Sequence, residues 1–515
     1  MVKDCSSVYM NLLISDVRRI NNNHFKNSLP MTPLTPQERR RHYAASVCFL
    51  CGDKFLQIDA GGPGKGKYRG AAHSRCNLLH RRPKFIPVFL HNMNNYDIHI
   101  FVQEAAATCA NVSVIPENKE KYISFMAKIK MDEQQGGVHD AEDIDDEDEE
   151  AEEENNKRKP LYFTLRFLDS FRFMACSLEK LASYLKEDKM IETKRAFPRG
   201  EKFNLVRHKG VFPYKFIDSY EKLESTLELP TADKFYSTLT ESSITEEDYQ
   251  HAQLVWKTFK CRNIGEYSDI YLKTDVLLLT DVFEVFRDVC MEVYGLEAAS
   301  FITLPGLSWQ AMMKYTKVRL ELLTDVDMLH FIRKSIRGGV SQCSHRHATA
   351  NNKYMPRRSD EEDFQHLAYN SYENPRYLMY LDANNLYGLS LSQYLPYAGF
   401  KWLTDEEVAR LNISSCSNPC SDIGFILEVD LGYPTELHDD HDELPYCPQN
   451  IIPPNGCTKQ SKLILNLSNK EKYVIHYRNL WQALQHGLKL NKIHRILSFK
   501  QSDWLRVYID LNTKR

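Results

Sequence analysis

Residues 377–391 read YLMYLDANNLYGLSL: an unbroken apolar and aromatic run, one acid at Asp382, an Asn-rich turn, and then a return to apolar spacing. Such a run, bounded by turn residues, predicts a buried strand followed by the start of a helix, with Asp382 where the strand hands over to the loop. Upstream, residues 85–97, FIPVFLHNMNNYD, repeat the plan and end on Asp97. Residues 162–173, YFTLRFLDSFRF, predict a further strand, and residues 269–296, DIYLKTDVLLLTDVFEVFRDVCMEVYGL, place apolar residues three and four apart. That spacing predicts a long amphipathic helix packed on the strands, with Tyr271 and Asp275 on one of its faces. The fold class is α/β. Asp97, Asp275 and Asp382 are candidate metal ligands, because phosphoryl transfer commonly uses two hard cations about 3.5 to 4 Å apart held by carboxylates. Each of the three also has a plain reading as a turn former or helix cap.

A chain of 515 residues exceeds what one hydrophobic core serves, so several domains are expected. The net charge of -3 hides an acidic block, HDAEDIDDEDEEAEEENNKRK at 139–159, which leaves the remainder basic and suited to phosphates. That block buries too little apolar area to fold by itself and reads as a solvated insertion over about 131–159. Thirteen cysteines scattered through the chain fit a reducing compartment rather than a secreted disulfide framework, and no apolar run reaches the length of a membrane span. An intracellular location with no membrane partner is expected.

Taken in linear order, HNMNNYD, FLDSFRFMACSLEKL, YLKTD, IRGG and LDANNLYGLSLSQYLP resemble protein-primed family B DNA polymerases, particularly those of Polinton-like self-synthesising transposons. The resemblance implies an RNase H-like 3'-5' exonuclease domain followed by the start of a polymerase palm with a terminal-protein-region-like insertion. It makes Asn92 and Asp97 the second exonuclease motif, and Tyr271 and Asp275 the third, the phenol orienting the attacking water and the acids holding Mg²⁺ or Mn²⁺. Ser170 and Phe171 match the family's contact with single-stranded DNA, and Arg172 adds a phosphate ligand. Phe171 and Phe173 read equally well as inward positions of a strand.

The same resemblance sets Ile336, Arg337, Gly338 and Gly339 in the Tyr-x-Gly-Gly linker that approaches DNA, with Ile replacing the Tyr. A plain turn would also use these glycines. LDANNLYG matches polymerase motif A, which makes Asp382 the ligand of both catalytic metals. It places Tyr387 under the incoming sugar, where its ring excludes a 2'-OH. The partners implied are template and primer DNA, deoxynucleoside triphosphates and a terminal protein. His438, Asp439, His441 and Asp442 mimic a metal cluster but read better as a solvated loop.

The chain departs from the family in two ways. No Asp-x-Glu pair, the first exonuclease motif, stands upstream of His91, and the later palm motifs do not appear by Arg515. Counting carboxylates, the chain by itself is expected to bind DNA without extending it. Two other functions stay open: an inactive DNA-binding remnant of a transposon polymerase, and a stand-alone 3'-5' exonuclease. Near the start, Cys48, Cys51, His73 and Cys76 have the paired spacing of a structural Zn²⁺ site, against a reading as buried thiols or an exposed redox pair. The expected layout is 1–83 with this knuckle, 84–328 exonuclease-like, 329–400 linker and palm start, and 401–515 insertion.

Overall fold

The computed structural model describes residues 5–25, 33–49, 54–55, 68, 70–73, 85–93, 97–118, 121–131, 162–238, 241–338, 340, 347–355, 369–411, 418–454 and 459–514, without the side chains of residues 24, 25 and 97. The chain forms an α/β fold in two units, Met1–Ser308 and Trp309–Arg515.

In the first unit, strands β1 (Phe85–Leu90), β2 (Asn111–Pro116), β3 (Tyr122–Lys130) and β4 (Tyr162–Asp169) form one sheet in the order β1-β4-β3-β2. β1 runs parallel to β4, and the other neighbours are antiparallel. Residues alternate between the two faces of β1. Ile86, Val88 and Leu90 pack with helices α1 (Cys5–Ile20) and α2 (Asp97–Thr108), around a Phe125–Phe167 stack with ring centroids 3.9 Å apart. Phe89 points the other way, onto Phe283 of the long helix α3 (Ile264–Tyr294), again at 3.9 Å. The expected amphipathic helix thus covers the strands, with helices on both faces of the sheet.

Helix α3 is started by Asn263, whose side chain accepts from Glu266 N–H, and stopped by Gly295 at φ 61°. A left-handed residue after the last turn is where glycine carries no Cβ penalty. The acidic block lies outside the described residues, but its flanks are fixed: Lys130 of β3 is the register partner of Tyr162 of β4. It therefore joins two adjacent antiparallel strands, as an insertion would.

In the second unit, β5 (Leu395–Trp402), β6 (Ile423–Gly432), β9 (Lys470–His476) and β10 (Lys489–Ser502) form an antiparallel sheet in the order β5-β10-β6-β9, and β7 (Gln449–Ile451) pairs with β8 (Lys462–Ile464). One core lies under helix α5 (Tyr477–Gln485), and a second gathers around Phe331 of α4 (Val326–Ser335).

The strand expected at 377–381 does not form. These residues carry no strand assignment, and Tyr377, Leu378, Met379, Tyr380 and Leu381 are 56%, 60%, 75%, 97% and 79% exposed. A strand is defined by its ladder, and no described strand lies alongside this segment, so apolar sequence alone does not make one. The helix that follows, Leu386–Leu391, is present, started by Asn385 at φ 56° with its side chain accepting from Gly388 N–H at 3.0 Å. A Cβ on Gly388 would sit 2.3 Å from Asn385 Nδ2, so a side chain here would displace the Asn385 cap.

Candidate active site

Parallel pairing of β1 with β4 sets Leu90 opposite Asp169, so His91–Asn92 and Ser170–Phe171 leave the sheet at the same end. Asp169 is buried and ties the two exits together: its Oδ1 accepts from Asn92 N–H at 2.8 Å and from Phe171 N–H at 3.0 Å. Asn92 takes φ 62°, a left-handed value that Asn tolerates better than most side chains. His91 Nε2 lies 3.1 Å from the Cys176 carbonyl and Nδ1 lies 3.0 Å from Ser170 Oγ, while Ser170 O–H also reaches the Leu90 carbonyl at 2.9 Å. A neutral imidazole and a hydroxyl supply two protons for these three contacts, and an imidazolium would supply the third. Burial nevertheless holds the His91 pKa below its ordinary value, opposed by the Cys176 carbonyl and the charges of Asp169 and Asp275.

The opposite wall is one face of α3. Asp275 Oδ2 lies 3.5 Å from Lys209 Nζ, and among the described residues its buried Oδ1 has no hydrogen-bond partner. Burial raises the Asp275 pKa and Lys209 pulls it back. One turn earlier, Tyr271 shares a 2.8 Å hydrogen bond with Tyr214 O–H and tilts against Phe212 at 5.4 Å, so the segment carrying Lys209 also clamps the Tyr271 ring. Burial, then the Asp275 charge, drives the Tyr271 pKa upward and keeps the phenol protonated.

The structure thus brings Asn92, Tyr271 and Asp275 into one region and adds His91, Asp169, Lys209 and Tyr214, none of which was singled out from the sequence. Asp169 carried a signal there, since it ends a strand just as the other candidate acids were read to do. Lys209 and Tyr214 lie in an irregular segment, where no periodicity points at them. Asp97 is the first residue of α2 rather than the end of a strand, and its side chain lies outside the described residues.

Ser170 is fully buried and Phe171 is 37% exposed, with its ring at the edge of His91 at 5.6 Å. Strand β4 stops at Asp169, so Phe171 lies in a single 3-10 turn, and Phe173, beyond that turn, is buried. Arg172 pairs with Glu117 at 2.5 Å.

In the second unit Arg337 points inward. Its guanidinium lies 3.9 Å over the Tyr473 ring and donates to the Val474 carbonyl at 2.6 Å. A Cβ built on Gly338 would meet open space, and Gly339 lies outside the described residues. Asp382 is exposed and Tyr387 is 87% exposed. Of the cysteine cluster, Cys48 is buried and its Sγ lies 3.4 Å from His73 N–H, while Cys51 and Cys76 lie outside the described residues. Among the described residues no three His, Cys, Asp or Glu side chains gather in a metal-binding group, and no helix is long and apolar enough to cross a membrane.

A family model described as DNA polymerase type B, organellar and viral, matches residues 80–355, more than half of the chain. No curated protein matches it. Among solved structures, phi29 DNA polymerase in a ternary complex with primer-template DNA and incoming nucleotide is similar at 13% identity and a TM-score of 0.40, over 82% of this chain and 54% of that one. The same polymerase with primer-template DNA alone gives 13% identity and a TM-score of 0.37, over 86% and 57%. With single-stranded DNA it gives 13% and 0.34, over 83% and 54%. The chain spans a little over half the length of that polymerase.

Proposed function

We propose, since this chain belongs to the type B DNA polymerases of organelles and viruses, that it is a DNA-directed DNA polymerase of the protein-primed kind whose first unit is a 3'-5' exonuclease module of RNase H-like build. The observation that carries the reading is that Asp275, one turn along α3 from Tyr271, lies within electrostatic reach of His91, the neighbour of Asn92 at the β1 exit, within the span matched by the family.

In this reading the orphaned Oδ1 of Asp275 fits a hard cation, Mg²⁺ or Mn²⁺, held with Asp97. Such an ion supplies charge neutralisation at the phosphoryl group undergoing transfer. Lys209 supplies a fixed positive charge beside the same carboxylate. Tyr271, held protonated, donates a hydrogen bond to orient the attacking water. Phe171 offers a ring edge to a base at the strand terminus, and Ser170 acts from within by setting the His91 ring that faces Phe171. Arg172 contributes charge at the rim once its exchange with Glu117 is allowed for.

In the second unit, Asp382 would hold the polymerase metals and Tyr387 would exclude a 2'-OH. Arg337, Gly338 and Gly339 would form the linker near DNA, with Arg337 acting by fixing the linker to β9. Cys48, Cys51, His73 and Cys76 would hold one structural Zn²⁺, which requires the His73 imidazole to leave the Lys54 carbonyl, 3.4 Å from its Nε2. Template and primer DNA, deoxynucleoside triphosphates and a terminal protein are the partners.

The test is DNA binding together with primer extension in Mg²⁺ and Mn²⁺, for the wild-type protein and Asp382→Ala. Binding to primer-template is expected in both proteins, and any extension is expected to vanish in the variant. No binding, or extension that survives Asp382→Ala, would overturn the reading.

A further inference from the structure

We propose a second ligand site in the first unit, a nucleotide-binding pocket on the back of α3. The pocket has a volume of about 370 Å³ and is walled by Phe197 and Phe259, with Arg199, Lys202, Lys273 and Asp269 around it. The two rings meet edge to face at 5.6 Å. Lys202 Nζ lies 4.7 Å from the centroid of Phe259, and Lys273 Nζ lies 5.1 Å from that of Phe197.

The charges decide the ligand. Three cations face the pocket and Asp269 is its one acid. The two lysines rest on ring faces, which hold an ammonium without neutralising it. Neither lysine nor Arg199 makes an ion pair among the described residues, so their charge is open to a ligand. A phosphate is the anion such a set of separated donors suits. The apolar lining beside the lysine-covered rings, Ala196, Pro198 and Ile270, suits the flank of a flat heterocycle, and the Asp269 carboxylate accepts from a sugar hydroxyl or exocyclic amine. The volume falls within the range of small-molecule sites, roughly 300 to 1,000 Å³. A nucleoside phosphate meets all three requirements, either free or as one unit of a strand.

The pocket is distinct from the candidate active site. Asp269 and Lys273 are each two residues from Tyr271, and Lys273 is also two from Asp275, a spacing of roughly 200° around a helix. It stands or falls independently of the roles given to Asp275 and Asp382.

Binding of dAMP and of an oligonucleotide to the full chain, measured by calorimetry for the wild type and for Lys202→Gln/Lys273→Gln, tests the proposal, with inorganic phosphate as competitor. Saturable dAMP binding that weakens about tenfold or more in the double variant, and that phosphate displaces poorly, is expected. If only the oligonucleotide shows that loss, the site takes a nucleotide within a strand and the proposal stands. Equal affinity in wild type and variant, or no binding of either probe, overturns it. Displacement by phosphate as effective as by dAMP also overturns it, leaving an adventitious ion only. Arg199→Gln, an exposed single change, reads the same site if the double variant does not fold.

Discussion

At Asp275, burial raises the carboxyl pKa while Lys209 opposes it, and burial wins. The folded state therefore holds a proton more tightly than the unfolded chain does. Stability is unaffected below the unfolded pKa and falls as pH rises through the window between that value and the raised one. Asp275→Asn is accordingly expected to raise the melting temperature at pH 7, with the gain shrinking as pH falls towards about 4; thermal scans at several pH values check it. Added Mg²⁺ should stabilise the wild type and not this variant, and equal stabilisation of both would remove Asp275 from the metal site. Ser170 gives a second residue-scale expectation. Its buried hydroxyl joins Leu90 and His91, so Ser170→Ala should cost about 1–3 kcal/mol in urea unfolding, as loss of a buried hydrogen-bonding group does. Tyr271, Asp275 and Asn92 were candidates from spacing and resemblance because their signals are local. Lys209 and Tyr214 could not, because they reach the site only through the packing of an irregular segment against α3.

Among the elements, α3 does more than carry two candidate site residues. Its Asp281, 1% exposed, accepts from Glu192 N–H, Thr193 N–H and Thr193 O–H at 2.8, 3.0 and 2.7 Å, capping the short helix Ile191–Ala196 from outside. Asp281→Leu leaves these donors buried and unmet, and a destabilisation of roughly 2–4 kcal/mol is expected in urea titrations of the first unit. Asp281 was visible in the sequence only as a break in an apolar run, since a long-range cap has no local spacing. The strands at 85–90 and 162–169 were legible from apolar runs, and α3 from its three-and-four spacing. Residues 377–381 carry an equally strong apolar signal and form no ladder, because pairing depends on a neighbour that sequence pattern cannot supply. Amide exchange should distinguish these cases: residues 377–384 are expected to exchange rapidly and β6 slowly.

For the whole molecule, the near-neutral net charge of -3 is misleading, because the acidic block at 139–159 offsets a basic remainder. Deleting that block is expected to leave the first unit folded, since the β3–β4 pairing at its flanks does not depend on it, and to tighten DNA binding at low salt. Circular dichroism and a binding titration check both parts. The α/β class and the family were readable from the sequence because they rest on runs and motifs in linear order. The division at Ser308 was not, since it falls within the helix Leu304–Thr316, where composition does not change. The DNA binding proposed for this chain is read by anisotropy of a labelled primer-template over a salt series. Binding at low salt, with log affinity falling linearly in log salt at a slope near -0.9 for each phosphate neutralised, is the predicted result. Absence of binding at low salt, or affinity indifferent to salt, would contradict it.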